Sequence, residues 1–412
     1  MSRPIVIVDP LSSGVELAPA FKERGIPCVA VKTFEPQSSL GYGTRLQTED
    51  FVEVIPKRPD LEEVLRKLNP LAILPGTDAA IAMAERLSAA ITPNFSNDPK
   101  KSSHRLHKAL MQQALMEAGV PALGTISSSD ENEVAAWILE RALSDSPLIV
   151  KPANSAGSDK VFHIPAGEDW QQAFRRVLTE PSKLTGERNE TAVVQEQAIG
   201  TEFAVGTVSA KGKHYLAHLI RYNKLSLEDR KTVYDFVEFL PFTAETLGPL
   251  FEYAQNALDA LGIRWGAAHI EIMLTKNGPR LIEASPRMCG GPVVLFAREA
   301  SGSSQADKLV EIFADGDVTT KNLNFKKTVM PVFLKANATG FVSNVSALDG
   351  VNQLPTIFKK FVWFKEGDRL QQTVDYLSSI GIVALSGERE KILLDYKKIR
   401  EMESQLRIQE VK

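Results

Sequence analysis

Short apolar runs alternate with helix-period stretches over the first hundred residues, the pattern of strands and helices taking turns. Ile5–Val8 reads as a buried strand, followed by Ser12-Ser13-Gly14 and a helical stretch from Val15 to Arg24 that Gly25 stops. Ile26–Val31 is the next strand. A second unit repeats the scheme with Phe51–Ile55, a helix around Leu61–Leu68, and Leu71–Leu74 running into Pro75-Gly76-Thr77-Asp78. Such β-α-β units predict a parallel sheet whose ligand edge lies at the C-terminal ends of its strands. Gly41-Tyr42-Gly43 has no third glycine and sits outside any strand-to-helix turn, so no dinucleotide fingerprint is present.

Asn97-Asp98-Pro99 opens a helical region, and Arg105–Ala118 places Leu106, Leu110, Ala114, Leu115 and Ala118 at helical spacing before Gly119. Beyond Leu148 strands dominate: Leu148–Lys151, Val161–Ile164, Ala192–Glu196, Glu202–Ser209 and His214–Tyr222. Helices near Trp170–Leu178 and Leu247–Leu261 interrupt them. After about residue 320 the pattern predicts strands near Val329–Leu334 and Phe361–Phe364, then helices at Arg369–Ile380 and Glu388–Glu403. There are no repeats and no low-complexity tract.

Composition narrows the class. At 412 residues the chain has length for about two to four domains. Hydrophobic residues at 43% and charged residues at 24% are ordinary for a globular protein. The net charge of −3, without a lysine/arginine block, favours neither nucleic acid nor an anionic membrane surface. Cys28 and Cys289 show no CxxC spacing and read as reduced thiols. The apolar run before Asp9-Pro10 is too short for a signal peptide, and no stretch approaches transmembrane length, so a cytoplasmic location is expected.

The chemistry concentrates in Gly266-Ala267-Ala268-His269-Ile270-Glu271-Ile272-Met273, answered by Arg280-Leu281-Ile282-Glu283-Ala284-Ser285-Pro286-Arg287. As a hairpin, strand alternation puts His269, Glu271 and Met273 on one face, and groups Leu281, Glu283, Ser285 and Arg287. A two-residue Asn277-Gly278 turn would separate Glu271 from Glu283. A three-residue loop, Asn277-Gly278-Pro279, pairs Glu271 with Ser285 and Met273 with Glu283, and it suits a glycine at positive φ and a proline that cannot donate to a ladder. The three-residue loop is therefore expected. Glutamates among Ala, Ile, Met and Leu neighbours need a partner, and carboxylates on adjacent strands beside a cation suit Mg²⁺ bridging nucleotide phosphates.

Upstream features fit a nucleotide. Lys151 ends an apolar strand, and a lysine there is ordinarily a surface residue. It is followed, however, by Asn154-Ser155-Ala156-Gly157-Ser158, whose small residues let backbone amides close over phosphate oxygens. No GxxxxGK[ST] motif occurs. The strand Val193-Val194-Gln195-Glu196-Gln197 runs through Ile199 to Glu202, offering backbone groups to adenine and a carboxylate to ribose. Each feature alone is also explained as a plain turn or strand pair.

In this order, Lys108, Lys151 with its glycine loop, Glu196 through Glu202, and Glu271…Glu283-x-Ser-x-Arg287 resemble the ATP-grasp superfamily. Chain length and the segment Ile282-Glu283-Ala284-Ser285-Pro286-Arg287-Met288-Cys289-Gly290-Gly291 look most like its L-amino-acid ligases. The resemblance implies an α/β and α+β architecture: a Rossmann-like N-terminal domain over 1–100, an ATP-grasp core over 101–320 with a lid at about 120–195, and a small C-terminal α+β domain over 321–412. It also implies roles. Lys108, Lys151, Ser155, Gly157 and Ser158 would meet ATP phosphates. Glu196, Gln197 and Ile199 would form the adenine hinge, and Glu202 would hold ribose. Glu271 and Glu283 would ligate Mg²⁺, with Mn²⁺ as a substitute, and Arg287 would stabilise the transferring phosphoryl group. His269 is open between contact with the acyl phosphate and a structural place. Ser285 stands where many relatives carry asparagine, which leaves a third protein ligand open.

The implied reaction joins two amino acids into a dipeptide through an acyl phosphate, releasing ADP and phosphate. Its alternative is another ATP-grasp ligase or carboxylase acting on a different amine or on bicarbonate. No nucleic acid or membrane partner is expected, and a homodimer is an open possibility. Met288–Pro292, Pro75–Asp78 and His218-Leu219-Ile220-Arg221 are candidate substrate walls, and none specifies the amino acids joined.

Overall fold

Four short apolar strands build the first sheet. They are β1 (Ile5–Val8), β2 (Cys28–Lys32), β3 (Glu53–Pro56) and β4 (Ala72–Pro75), all parallel in the order β3-β2-β1-β4. The computed structural model describes residues 3–35, 41–155, 157, 159–181, 186, 188–226, 232–319, 323–376 and 378–410. Both faces of the sheet are covered, as a continuous apolar strand requires. Ile5 and Ile7 pack with Leu17 and Phe21 of the helix Leu17–Glu23, while Val6 and Val8 pack with Leu61 and Leu65 of the helix Leu61–Leu68. The βαβ reading of this region holds, with β2 beginning at Cys28 rather than Ile26.

A second sheet, antiparallel in the order β5-β8-β6-β7, contains β5 (Thr125–Ser128), β6 (Leu148–Pro152), β7 (Phe162–Ile164) and β8 (Ala192–Glu196). Helices Glu131–Glu140 and Gln171–Thr179 bury Val134, Ile138, Phe174 and Val177 against it. Asp130 caps the first of these, accepting the Asn132 N–H at 2.8 Å.

The largest sheet has eight strands. β9 (Gly200–Ala210), β10 (Lys213–Ser226), β11 (Thr232–Phe239), β12 (Gly266–Thr275), β13 (Gly278–Ser285) and β14 (Thr328–Leu334) are followed by β15 (Gly340–Ser343), β16 (Ile357–Val362), β17 (Arg369–Leu370), β18 (Gly381–Gly387) and β19 (Arg407–Glu410). The sheet order is β13-β12-β9-β10-β11-β14-β18-β16, with β17-β15-β19 as a separate small sheet. The eight-stranded sheet thus runs across the expected boundary at 320/321. Sequence patterning missed β11 and the helices Val293–Ser301 and Gln305–Asp315.

Two expected helices differ. The region Arg105–Ala118 is two helices, Ser102–Leu106 and Lys108–Glu117, broken at His107, whose backbone is extended (φ −119°, ψ 116°). Its imidazole accepts the Leu110 N–H at 3.4 Å, capping the second helix. The break makes Lys108 a helix-initial residue. Arg369–Ile380 is not helical: after β17 the backbone turns at Asp375, where the Ser378 hydroxyl accepts the Val374 and Asp375 N–H groups at 2.8 and 3.0 Å. Ser and Asp side chains bonding nearby backbone in this way compete with helix formation.

The β12–β13 hairpin corrects the expected loop. Thr275 pairs with Gly278, leaving a two-residue Lys276-Asn277 turn, and Pro279 lies in β13 opposite Leu274. β13 is an edge strand, where a proline is tolerated. Ile272 pairs with Leu281, but Glu271 pairs with Glu283, so Ile282 is a bulge residue. The bulge reverses strand parity: Leu281 joins the core with Ile270, Ile272 and Ala284, whereas Ile282, Glu283 and Ser285 face the other side with His269 and Glu271. The two glutamates share a face by a bulge, not by a longer loop.

Backbone meets backbone at the C-terminal ends of β1 and β4, within the first unit. A Cβ on Gly76 would lie 2.2 Å from the Asp9 carbonyl oxygen, and one on Gly14 would lie 2.6 Å from that of Gly76. Gly76→Ala is expected to cost about 1–3 kcal/mol through overpacking, read as a lowered urea midpoint for the first unfolding transition. An unchanged midpoint would show that this approach is not tight.

Candidate active site

The three larger structural layers meet at a cavity of about 940 Å³. Its walls include Lys108, Lys151, Ser155, Gly157, Glu196, Gln197, Ile199, Glu202, His269, Glu271, Glu283 and Arg287. Every expected site residue within the described part of the chain therefore borders one space. Ser158 lies outside the described residues.

Glu271 and Glu283 form its floor. The side chains keep 20% and 29% of their exposure, enough to meet a ligand and too little to be fully hydrated. Lys108, aimed by the break at His107, places its ammonium 3.0 Å from Glu283 Oε1 and donates to the Ser155 carbonyl at 2.6 Å. Lys151 rises from β6 and donates to Gln195 Oε1 at 2.8 Å; Gln195 in turn donates to the Thr125 hydroxyl. Burial and the neighbouring Lys108 charge depress Lys151 to about 8, against the pull of Glu283, Glu271 and Glu202.

Glu271 lies 3.3 Å from His269 Nε2 and accepts from the Tyr222 hydroxyl at 3.3 Å. Burial alone would raise Glu271, but the His269 bond and charge, with Lys224 and Arg287, bring it down to about 2. His269 is shifted the other way, to about 10: burial opposes the charge, and Cys289 and Glu271 outweigh burial. Cys289 falls to about 6, since the His269 charge and His218 overcome its burial. The two histidines flank Gly206, in register with His269 on one side and His218 on the other; a Cβ at Gly206 would enter the His218 ring at 2.2 Å.

Glu202 is held by Lys224, 2.7 and 2.8 Å from its two oxygens, and burial raises its pKa despite that cation. Lys224 also sits 4.7 Å above the Tyr234 ring. Sequence reading missed Lys224 and Gln195. The signal was the alternate positions Ile220, Tyr222 and Lys224 on one strand, all bordering the cavity.

Arg287 is committed to Asp78. Its guanidinium donates to both Asp78 oxygens at 2.8 and 2.7 Å and to the Met288 carbonyl at 2.6 Å, and the Ser285 hydroxyl donates to Asp78 at 2.8 Å. Burial works against the Asp78 charge, but Arg287 holds its carboxyl below the usual range. Among the expected walls, Asp78, Cys289, Gly290, Gly291, Pro292 and Ile220 border the cavity. Arg221 does not; it points to the other face and pairs with Glu238.

Among the described residues no group of three or more His, Cys, Asp or Glu side chains is placed to hold a metal ion. The Glu271–Glu283 pair is of the kind Mg²⁺ takes when it arrives with phosphates, keeping waters and only one or two protein carboxylates. No described helix is long and apolar enough to cross a membrane.

Comparison with known proteins agrees with this architecture. Residues 144–295 match the ATP-grasp domain, and the chain carries that domain on an ATP-grasp fold. Dapdiamide A synthase of Enterobacter agglomerans is 29% identical over 390 residues, covering 92% of this chain and 90% of its own. The crystal structure of an L-amino acid ligase from Bacillus licheniformis aligns with a TM-score of 0.74 at 16% identity, covering 100% of this chain and 99% of that one. The biotin carboxylase domain of a Hydrogenobacter thermophilus 2-oxoglutarate carboxylase, solved with MgADP and bicarbonate, aligns with a TM-score of 0.66 at 14% identity, over 100% of this chain and 92% of that one.

Removing Asp78 leaves a buried guanidinium without its carboxylate. Asp78→Ala should destabilise the protein by roughly 3–5 kcal/mol, and the double variant Asp78→Ala/Arg287→Met should recover much of that loss in the same urea titration. Failure of the second change to restore stability would mean the pair does not act as a unit.

Proposed function

We propose that this ATP-grasp protein is an ATP-dependent ligase joining the carboxylate of one L-amino acid to the amine of another, with ADP and phosphate released. The observation that carries the reading is the register of Glu271 directly against Glu283, with Lys108, Lys151 and Arg287 around them in one cavity. Similarity to proteins named as a dapdiamide synthase and an L-amino acid ligase supports amide formation over carboxylation.

Glu271 and Glu283 would hold Mg²⁺, or Mn²⁺ in its place, which when bound supplies charge neutralisation at the phosphates. Lys108 and Lys151 neutralise phosphate oxygens, and Ser155 and Gly157 border the same cavity. Glu196, Gln197 and Ile199 continue from β8 as the adenine contact, and Glu202, positioned by Lys224, meets the ribose. The substrate carboxylate attacks the γ-phosphate, breaking its bond to the ADP oxygen and giving an acyl phosphate. The amine of the second amino acid then displaces phosphate. Arg287, fixed by Asp78, and His269, kept cationic by Cys289 and Glu271, stabilise the charge that develops on the transferred group. Closure of the second sheet over the cavity excludes water, which would otherwise hydrolyse the acyl phosphate.

Three measurements test this reading. Glu283→Gln should lower kcat by about 100-fold or more while leaving amino-acid binding less affected; activity surviving within a few-fold would remove Glu283 from the metal site. ADP must be the nucleotide product and bicarbonate must be dispensable, so AMP formation or a bicarbonate requirement would refute the proposal. Lys151 supplies a pH test. It is charged below about 8 and neutral above, so kcat/KM for ATP should fall as pH rises through 8, and Lys151→Arg should move that limb to higher pH. A flat wild-type profile from pH 7 to 9.5 would exclude its phosphate role.

A further inference from the structure

The cavity continues past the charged floor. In register with Glu271 across the sheet lie Ala204, Ile220 and Phe239, so the row turns apolar within one strand. Beyond it the space is bordered by Ile220, Val237, Phe296, Phe333, Tyr376 and Ile382, drawn from β10, β11, the helix Val293–Ser301, β14, the loop after β17, and β18. Most of these belong to one apolar cluster, and Phe296 and Ile220 keep only 1% of their exposure. Tyr376 stands edge-on to Tyr234 and Phe333, with ring centres 5.7 and 5.8 Å apart. It closes onto Gly291, where a Cβ would lie 2.8 Å from its hydroxyl and where φ is +69°. The carboxylate bordering this end, Asp375, accepts the Ser378 N–H at 2.8 Å and its hydroxyl at 2.7 Å, so it is already engaged by its own turn.

We propose that this aromatic end receives the side chain of one amino-acid substrate and selects a large apolar one, of the phenylalanine, leucine or methionine class. The inference rests on the amide-ligase reading. A charged or strongly polar side chain placed here would lose its hydration without gaining a partner. A large apolar one would leave water for aromatic walls that it can contact edge-on and face-on. The groups facing the nucleotide come from β6, β8 and the first residues of β9, whereas Ile220, Val237, Phe333 and Ile382 lie on β10, β11, β14 and β18, farther across the sheet from the glutamates.

The test is ADP formation by the whole protein with MgATP and all pairs of the twenty amino acids, with products identified by mass spectrometry. Productive pairs are expected to contain a large apolar member, with kcat/KM for phenylalanine, leucine or methionine exceeding that for alanine or lysine by roughly tenfold or more. Val293 borders the cavity and packs against the same apolar cluster, so Val293→Phe should raise KM for the large substrate more than tenfold while KM for ATP moves less than twofold. Turnover confined to small or charged amino acids would overturn the pocket assignment and leave the ligase reading standing. So would an equal rise in both KM values in the variant. ADP formation with no amino-acid pair at all would overturn the ligase reading, and the pocket with it.

Discussion

A carboxylate facing a carboxylate across adjacent strands is the constraint around which the molecule is arranged. Glu271 and Glu283 are mostly withdrawn from water, and two like charges so placed repel unless cations are near. No single element supplies those cations. Lys108 comes from the start of a helix, Lys151 from the second sheet, Lys224 from β10, and His269 from the strand of Glu271 itself. The His269 bond and charge, with Lys224 and Arg287, hold Glu271 well below the usual carboxylate range against its burial. The long-range folding of the chain and the electrostatics of the floor are thus one requirement.

How much of this is legible in the sequence depends on the range over which each feature is decided. The βαβ units of the first hundred residues are local patterns, and both faces of β1 are apolar in the string Ile5-Val6-Ile7-Val8, so the parallel sheet follows directly. Glu271 and Glu283 stand out because they interrupt apolar runs. Their mutual placement was harder to read. Alternation assumes an unbroken ladder, and the bulge at Ile282 changes the parity of β13 without any glycine or proline to announce it. Leu281, grouped at first with Glu283, is in the core for that reason. The break at His107 is similarly silent, since leucines and alanines on both sides keep helical spacing and His107 adopts extended backbone only with its imidazole as a cap. Thr373-Val374-Asp375 misled in the opposite direction, because the bonds that oppose a helix there come from Ser378.

Partners across domains are the least visible class. Asp78 reads as part of a candidate substrate wall at the end of a strand, while Arg287 reads as a free cation near phosphates. Their pairing links the C-terminal end of the first parallel sheet to the strand bearing Glu283, and it fixes the direction of a side chain that would otherwise have several rotamers. Ser285, the uncertain member of the hairpin face, is explained by the same contact: its hydroxyl serves Asp78. The apolar end of the cavity is dispersed over residues 220 to 382 and carries no sequence motif at all.

The eight-stranded sheet also limits how such a protein can diversify. β14 and β18, which form part of the apolar wall, hydrogen-bond into the same sheet as the glutamate hairpin although they follow residue 320. A chimera that exchanged everything after residue 320 would separate β14 from its partner β11 and leave exposed strand edges on both halves. New selectivity in this architecture must therefore arise by changing individual side chains on a shared scaffold, and not by exchanging a C-terminal module.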